Sequence, residues 1–218
     1  MGINQTGILS GVSGTVGPVV GAIVNGQSTL RAKPKKSTKD PTQLQVNQRD
    51  KFALITSYLS RQKSTIDIGY QSAQGTLSPM NAAVQYNLKN AITGVAPAFS
   101  INYPNVQISK GNLAGSATMA VVAAAGGLLN FTWDMTAELG AADQLKLGTD
   151  EGVIVIYGLK NKQFITVNGT SSRATGTASL KIPRIFNGDT LHTWFFFKTA
   201  DGKSVSTSMY LGAPVGLA

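Results

Sequence analysis

The sequence predicts an α+β fold in which a β-hairpin and two helices precede an antiparallel β-sandwich. Three observations predict it. Glycine is frequent, 24 of 218 residues, and only 13% of the residues are charged, which favours strands and turns. Two segments in the first half begin with proline and continue with apolar residues at helical spacing. Short apolar runs separated by Gly, Asn and Asp fill the second half. We therefore expect two domains, residues 1–103 and 104–218.

The first element is a glycine-rich arm that leads into a hairpin. Val19–Val24 is an apolar, β-branched run, Asn25-Gly26 is a strong two-residue turn signal, and an alternating segment follows it. The preceding residues carry no charge, and an uncharged terminal strand suits addition to the sheet edge of a neighbouring subunit. We predict an assembly arm with its apolar contacts at Ile8, Leu9, Val12, Val16, Val19 and Val20.

Helices follow an exposed basic linker that ends at Asp40. Asp40 is predicted to cap the first helix, with Pro41 in its first turn and Gln43 completing a capping box, and the helix should reach about Gln62. A second helix is predicted to begin at Ser78-Pro79 and to end near Gly94.

Strands are predicted for two further parts of the chain. Between the helices, Ile66, Ile68 and Tyr70 alternate, which indicates a short strand. From Pro104 onward, eight strand-length runs at regular spacing indicate a sandwich, with Trp133 in its core. These runs are NVQIS, ATMAVVAA, LLNFTWDM, GVIVIYGL, KQFITV, TASLKIP, LHTWFFFKT and SVSTSMYLG.

Residues that could carry catalysis or bind a metal are few. His192 is the single histidine and lies on a predicted aromatic strand, and there is no cysteine, so neither a zinc site nor a catalytic triad is expected. Asp150 and Glu151 form the densest acidic patch, with Asp134, Glu138 and Asp143 upstream. We interpret that patch as a solvated loop, with a calcium site or glycosidase-like catalysis as the alternatives. No cofactor and no small-molecule substrate is expected.

Positive charge is concentrated in the first half of the chain. The chain carries 19 basic and 10 acidic residues, a net charge of +9, and residues 1–103 hold +7 of it (10 Lys/Arg minus 3 Asp/Glu). Such a surface can bind phosphates without sequence specificity. The candidate basic patch comprises Arg31, Lys33, Lys35, Lys36, Lys39, Arg49 and Lys51.

Several motifs along the whole chain resemble a family of uncharacterised proteins common in Bacteroidota. They are a G-I-L-x-G-x-S-G-x-V-G start, a P-T-x-x-Q-x-x-x-R-x-x-F-A block, an N-A-x-x-Y-N-x-x-N-A-I-x-G block and a D-G-K-x-V-S-x-S-x-Y finish. The resemblance implies a fibronectin type III or immunoglobulin-like C-terminal module and implies no activity. The residues on these blocks are Gly7, Gly11, Gly14, Gly17, Pro41, Thr42, Gln48, Arg49, Phe52, Tyr86, Asn87, Asn90 and Gly94.

Together these features predict a structural protein rather than an enzyme. We expect it to assemble with copies of itself, as a filament or another homopolymer, through the glycine-rich arm. The alternative is a module that binds nucleic acid or another polyanion through its basic half. No run approaches the ~20 apolar residues of a membrane span, and no basic residue precedes the apolar start as in a secretion signal. The compartment stays open, and extracellular or virion-like assembly is compatible with the sequence.

Overall fold

A computed structural model of the chain describes residues 2–3, 11–24, 26–35, 38–71, 77–116, 118–134 and 147–217. The fold is α+β, with an N-terminal hairpin followed by helices and antiparallel sheets, as predicted. Residue contacts divide the chain into two compact units, Met1–Gln45 and Val46–Ala218. The boundary between the units lies at residues 45 and 46 rather than at 103 and 104. The reason is that the helices share a core with strands from the second half of the chain.

The first unit is a four-stranded antiparallel sheet with the order β1-β4-β3-β2. The predicted hairpin forms its centre: Val24 pairs with Gln27, which leaves a two-residue turn at Asn25-Gly26. Asn25 itself lies outside the described residues. The strands are β1 (Gly2–Ile3), β2 (Gly14–Val16), β3 (Val19–Val24) and β4 (Gln27–Ala32).

Helix α1 (Gln43–Ser60) begins at Gln43, two residues later than the predicted start at Pro41. The Thr42 hydroxyl accepts a hydrogen bond from the Gln45 amide at 3.4 Å, and the Gln45 side chain accepts one from the Thr42 amide at 3.1 Å. This reciprocal pair is a capping box, so Thr42 holds the place predicted for Asp40. The helix also ends at Ser60, close to the predicted end.

The strand predicted around Ile66–Tyr70 is wrong, because these residues form helix α2 (Lys63–Gly69) and its C-cap. Ile66 and Tyr70 are four residues apart and both are buried in one core. Gly69 lies on the same face, where a β-carbon would come within 2.5 Å of the Ile108 carbonyl oxygen. Packing against this core therefore overrides the β propensity of the isoleucines.

Helix α3 (Pro79–Asn90) begins as predicted but ends earlier than Gly94. The Ser78 hydroxyl caps it by accepting from the Asn81 amide at 3.3 Å, with Pro79 in the first turn. After Asn90 the chain forms an unpredicted hairpin of β5 (Ile92–Val95) and β6 (Ala98–Ile101).

The strand predicted at residues 105–109 is also wrong. A 3-10 turn at Tyr103–Asn105 leads into an extended segment that pairs with a side chain instead of a strand. The buried Asn87 amide donates to the Gln107 carbonyl oxygen at 2.8 Å and accepts from the Gln107 amide at 2.8 Å. A side-chain amide thus supplies both hydrogen bonds that a neighbouring strand would provide.

The other seven predicted runs each form or contain a strand. They build two antiparallel sheets, β11-β8-β7 and β10-β9-β12-β13. Trp133 is buried between them, as predicted, and donates to the Arg173 carbonyl oxygen at 2.8 Å. The strands are β7 (Met119–Ala124), β8 (Leu128–Trp133), β9 (Glu151–Gly158), β10 (Gln163–Ser172), β11 (Thr177–Lys181), β12 (Leu191–Lys198) and β13 (Met209–Gly212).

Strands β9 and β12 are buried on both faces of their sheet. On one face, Ile154 and Phe195 pack with the three-stranded sheet. On the other face, Val155 and Trp194 pack with the three helices. A strand that is covered on both sides has a continuous apolar sequence, and both strands have one, VIVIY and WFFF.

We predict that residues 104–218 alone do not form a native fold, whereas residues 46–218 do. The shorter fragment exposes one whole face of the central sheet, namely Val153, Val155, Tyr157, Trp194 and Phe196. Each such side chain contributes about 1.5–3 kcal/mol when buried, and the sum is comparable with the ~5–15 kcal/mol stability of a whole domain. Near-ultraviolet circular dichroism and thermal unfolding of both fragments check this. Cooperative unfolding of 104–218 with a native tryptophan signal would contradict it.

Candidate functional site

The described part of the predicted assembly arm lies in the sheet of the first unit. Val16 pairs with Val19 and Thr15 with Val20, so residues 14–16 form an edge strand on their own hairpin. Val12 is half-buried, and its carbonyl group lies over Gly21, where a side chain would collide with it. Ile8 and Leu9 lie outside the described residues.

This sheet exposes its apolar side chains. None of the buried apolar side chains of the described residues comes from the first unit, where the buried residues are Gly21 and Thr29. The side chains of Ile3, Val16, Val19, Ile23 and Val24 are all exposed. A small sheet with apolar side chains in water is typical of a surface that is covered in an assembly.

The predicted basic residues are divided between the two units. Arg31, Lys33 and Lys35 are exposed in the first unit. Arg49 is exposed on α1, and the Lys51 ammonium group lies 4.8 Å from the centre of the Phe99 ring. Lys36 lies outside the described residues, and Lys39 takes part in an interaction within the protein.

The acidic pair Asp150–Glu151 is not the solvated loop that we predicted. Asp150 is 2% exposed, and its carboxylate lies 3.3 Å from the Arg173 guanidinium group. Burial raises the pKa of Asp150, and Arg173 opposes this rise. Glu151 begins β9 and pairs with Lys198 at 2.8 Å. Both carboxylates thus already have a cationic partner within the protein.

The Asp150–Arg173 pair connects three segments of the chain, at residues 114–115, 150 and 173. Besides Asp150, the Arg173 guanidinium group donates to the carbonyl oxygens of Ala114 (2.8 Å) and Gly115, and it lies 4.5 Å from the centre of the Phe197 ring. Glu138 and Asp143 lie outside the described residues. Among the residues that the structure describes, no three His, Asp or Glu side chains cluster as metal ligands would.

We predict that Asp150→Ala lowers the free energy of unfolding by about 3–5 kcal/mol, because it leaves the Arg173 cation buried without its anion. Adding Arg173→Met should restore part of this loss, since no unpaired charge then remains, although two carbonyl groups still lose their donor. Urea denaturation of the single and double variants measures both effects. A loss below about 1 kcal/mol for Asp150→Ala would contradict the role of this pair.

His192 lies on β12, as expected, within a group of aromatic residues. Its Nδ1 is 2.7 Å from the Tyr210 hydroxyl, and its ring stacks on Tyr103 with the ring centres 4.0 Å apart. Burial lowers the pKa of His192, and the nearby Asp189 carboxylate opposes this. A histidine in this environment packs as a neutral ring at pH 7.

A pocket beside this aromatic group was not anticipated from the sequence. It has a volume of about 320 Å³ and lies between α1, β6, the Tyr103 turn and the β9–β10 turn. We call it the tyrosine pocket, since Tyr58, Tyr103 and Tyr157 form much of its wall. The other lining residues are Leu54, Ser57, Arg61, Ser100, Ile101 and Lys162.

The tyrosine pocket could not be predicted from the sequence, because the residues that line it come from distant parts of the chain. A partial signal exists on α1, where Leu54, Ser57, Tyr58 and Arg61 follow the spacing of one helix face. Pairing Tyr58 with Tyr157, whose ring centre is 5.2 Å away, requires the helix to lie on the second face of the central sheet.

Comparison with known families gives one result. Residues 11–212 match the family of unknown function DUF6266. The chain belongs to this family. Its name carries no activity, which agrees with the resemblance to an uncharacterised family. Neither the curated proteins nor the solved structures contain a match to the chain. Among the described residues, no helix has the length and apolar character needed to cross a bilayer.

Proposed function

We propose that this DUF6266 member is a non-enzymatic structural protein that assembles with copies of itself through the sheet of residues 1–45. The exposure of apolar side chains on that sheet carries the proposal. Units of about 40 residues rarely bury enough apolar surface to be stable alone and commonly depend on oligomerisation. Val16, Val19 and Ile23 project from one face of the sheet and Arg31 from the other, so a second copy that packs on the first face covers these apolar side chains without burying a charge.

The edges of the sheet support a second contact between copies, in a head-to-tail arrangement. Among the described strands, β2 pairs with β3 alone and β1 pairs with β4 alone, so the two outer edges differ. Pairing of the β2 edge with the β1 edge of the next copy extends the sheet and leaves one free edge at each end. Such an interface produces an open filament unless its rotation closes a ring. In this arrangement, the arm contributes β2 to the interface while it stays paired with its own hairpin.

The strand order of the second unit supports a fibronectin type III-like sandwich as the body of each subunit. With β7 to β13 taken as strands A, B, C, C′, E, F and G, the two sheets are A-B-E and C′-C-F-G. An immunoglobulin constant domain has A-B-E-D and C-F-G instead. The fourth strand is thus on the opposite sheet, as in fibronectin type III modules. Modules of this type serve as spacers and binding platforms in many assemblies.

Charge on the apolar surface tests self-assembly. We predict that Ile23→Lys reduces the assembled fraction at least tenfold, because packing of a second copy on the face of Val16, Val19 and Ile23 would bury its ammonium group. Ile185→Lys is the matched control, since Ile23 and Ile185 are both 56% exposed and Ile185 lies in the second unit. Light scattering and electron microscopy of the full chain measure assembly. Equal assembly of Ile23→Lys and the wild type would contradict the proposal.

Binding of a polyanion is the second candidate function, supported by the exposure of Arg31, Lys33 and Lys35. Phosphate binding depends steeply on salt, whereas apolar association does not weaken with salt. Under this alternative, replacing Lys33, Lys35, Lys36 and Lys39 with Gln abolishes binding of a single-stranded oligonucleotide at 50 mM salt, roughly the low-salt regime in which phosphate contacts are strongest. Assembly in the same variant should stay unchanged. A wild-type protein that binds no oligonucleotide at low salt would exclude the alternative.

A further inference from the structure

We propose that the tyrosine pocket binds a small organic anion that carries one ring, with a carboxylate or a phosphate ester as its charged group. The volume of about 320 Å³ is at the lower end for ligand pockets, which accommodates a single ring and its substituent. The wall is amphipathic: Leu54, Ile101 and the tyrosine rings offer apolar contact, and hydroxyl groups and cations offer polar contact. This combination is typical of sites for small ring-bearing molecules.

The charges of the wall select an anion. Arg61 and Lys162 both line the pocket, and no Asp or Glu is among its lining residues. One guanidinium nitrogen of Arg61 donates to the Lys162 carbonyl oxygen at 2.9 Å, which holds the end of α1 against the β9–β10 turn. The remaining N–H groups of the planar guanidinium suit a carboxylate or phosphate, which can accept two parallel hydrogen bonds.

The turn that carries Lys162 is held in an unusual conformation. Lys162 has φ of 52°, and it is the only non-glycine residue with positive φ among those described. Side chains with a β-carbon rarely adopt this conformation, and such residues often occur where a binding site requires them. Lysine at this position places a cation at the pocket at the expense of backbone strain.

The tyrosine hydroxyls add neutral donors. Burial, together with the neighbouring Tyr157, raises the pKa of Tyr103 to about 12, and burial raises the pKa of Tyr58 as well. These phenols therefore stay protonated at physiological pH and can donate to an anionic oxygen. The Tyr58 hydroxyl is buried and has no hydrogen-bond partner among the described residues. A buried donor without a partner is costly, and a ligand oxygen that reached this hydroxyl would supply one.

Isothermal titration calorimetry on the full chain tests the proposal with two matched probe pairs. Benzoate and phenyl phosphate are compared with neutral benzamide, and D-glucuronate is compared with neutral D-glucose. We expect at least one anionic probe to bind about tenfold more tightly than its neutral counterpart, as one charge-assisted interaction allows. The two pairs also distinguish an aromatic ring from a sugar ring. Equal affinity within both pairs, or no binding of any anionic probe, would overturn the proposal.

Variants locate the binding site. Arg61→Gln and Lys162→Gln should each weaken binding of the anionic probe about tenfold, whereas Lys181→Gln on β11 should leave it unchanged. Lys162→Gly removes the same cation but relieves the positive φ, so weaker binding combined with undiminished thermal stability excludes misfolding as the cause. Tyr58→Phe removes a hydroxyl that has no hydrogen-bond partner among the described residues, so it should weaken binding without lowering stability. Unchanged affinity in both Arg61→Gln and Lys162→Gln would overturn the assignment.

A last measurement separates this site from self-assembly. All residues of the tyrosine pocket lie within 46–218, and Ile23 lies in the first unit. The Ile23→Lys variant should therefore bind the anionic probe with wild-type affinity whether or not it assembles. Loss of binding in that variant would overturn the assignment to this pocket.

Discussion

Strands β9 and β12 lie side by side in the middle of the four-stranded sheet, and their side chains alternate between two apolar cores. Phe195 faces the three-stranded sheet, whereas its neighbours Trp194 and Phe196 face the helices. A shift of one residue in this pairing would exchange every one of these side chains between the cores. The register of the β9–β12 pair therefore determines where the second sheet and the helices of residues 46–218 can pack.

Strand β9 has a polar site at each of its ends, the Asp150–Arg173 pair at one and the tyrosine pocket at the other. Asp150 directly precedes β9 and reaches Arg173, which lies between β10 and β11. Tyr157 lies near the other end of β9 and forms part of the tyrosine pocket. Between Glu151 and Tyr157, β9 is apolar and buried. The strand thus provides a rigid support of known register for both sites, which is how small pockets are held in shape.

Local signals predicted most of the strands and the Ser78 cap, and long-range packing explains the two strands that were wrong. The Asn25-Gly26 turn and the Ser78-Pro79 cap depend on a few adjacent residues, so the sequence contains all the information for them. The α2 helix and the segment at Gln107 depend on partners elsewhere, such as the side chain of Asn87. The continuous apolar runs in β9 and β12 did hold a usable signal, because alternation is absent where both faces of a sheet are covered. The tyrosine pocket forms where the helices cover the second face of the four-stranded sheet, so it could not be predicted without knowing that packing.

The two units differ in how far they bury their apolar side chains, and this difference connects the fold with the proposed functions. Residues 46–218 contain every buried apolar side chain that the structure describes, together with a pocket whose wall is polar enough to bind a small anion. The described part of residues 1–45 contains a sheet that keeps valines and isoleucines in contact with water. A unit with its own two cores can remain folded in any assembly state, whereas the exposed sheet gains stability only when another surface covers it. Self-association and ligand binding are therefore expected to depend on separate residues.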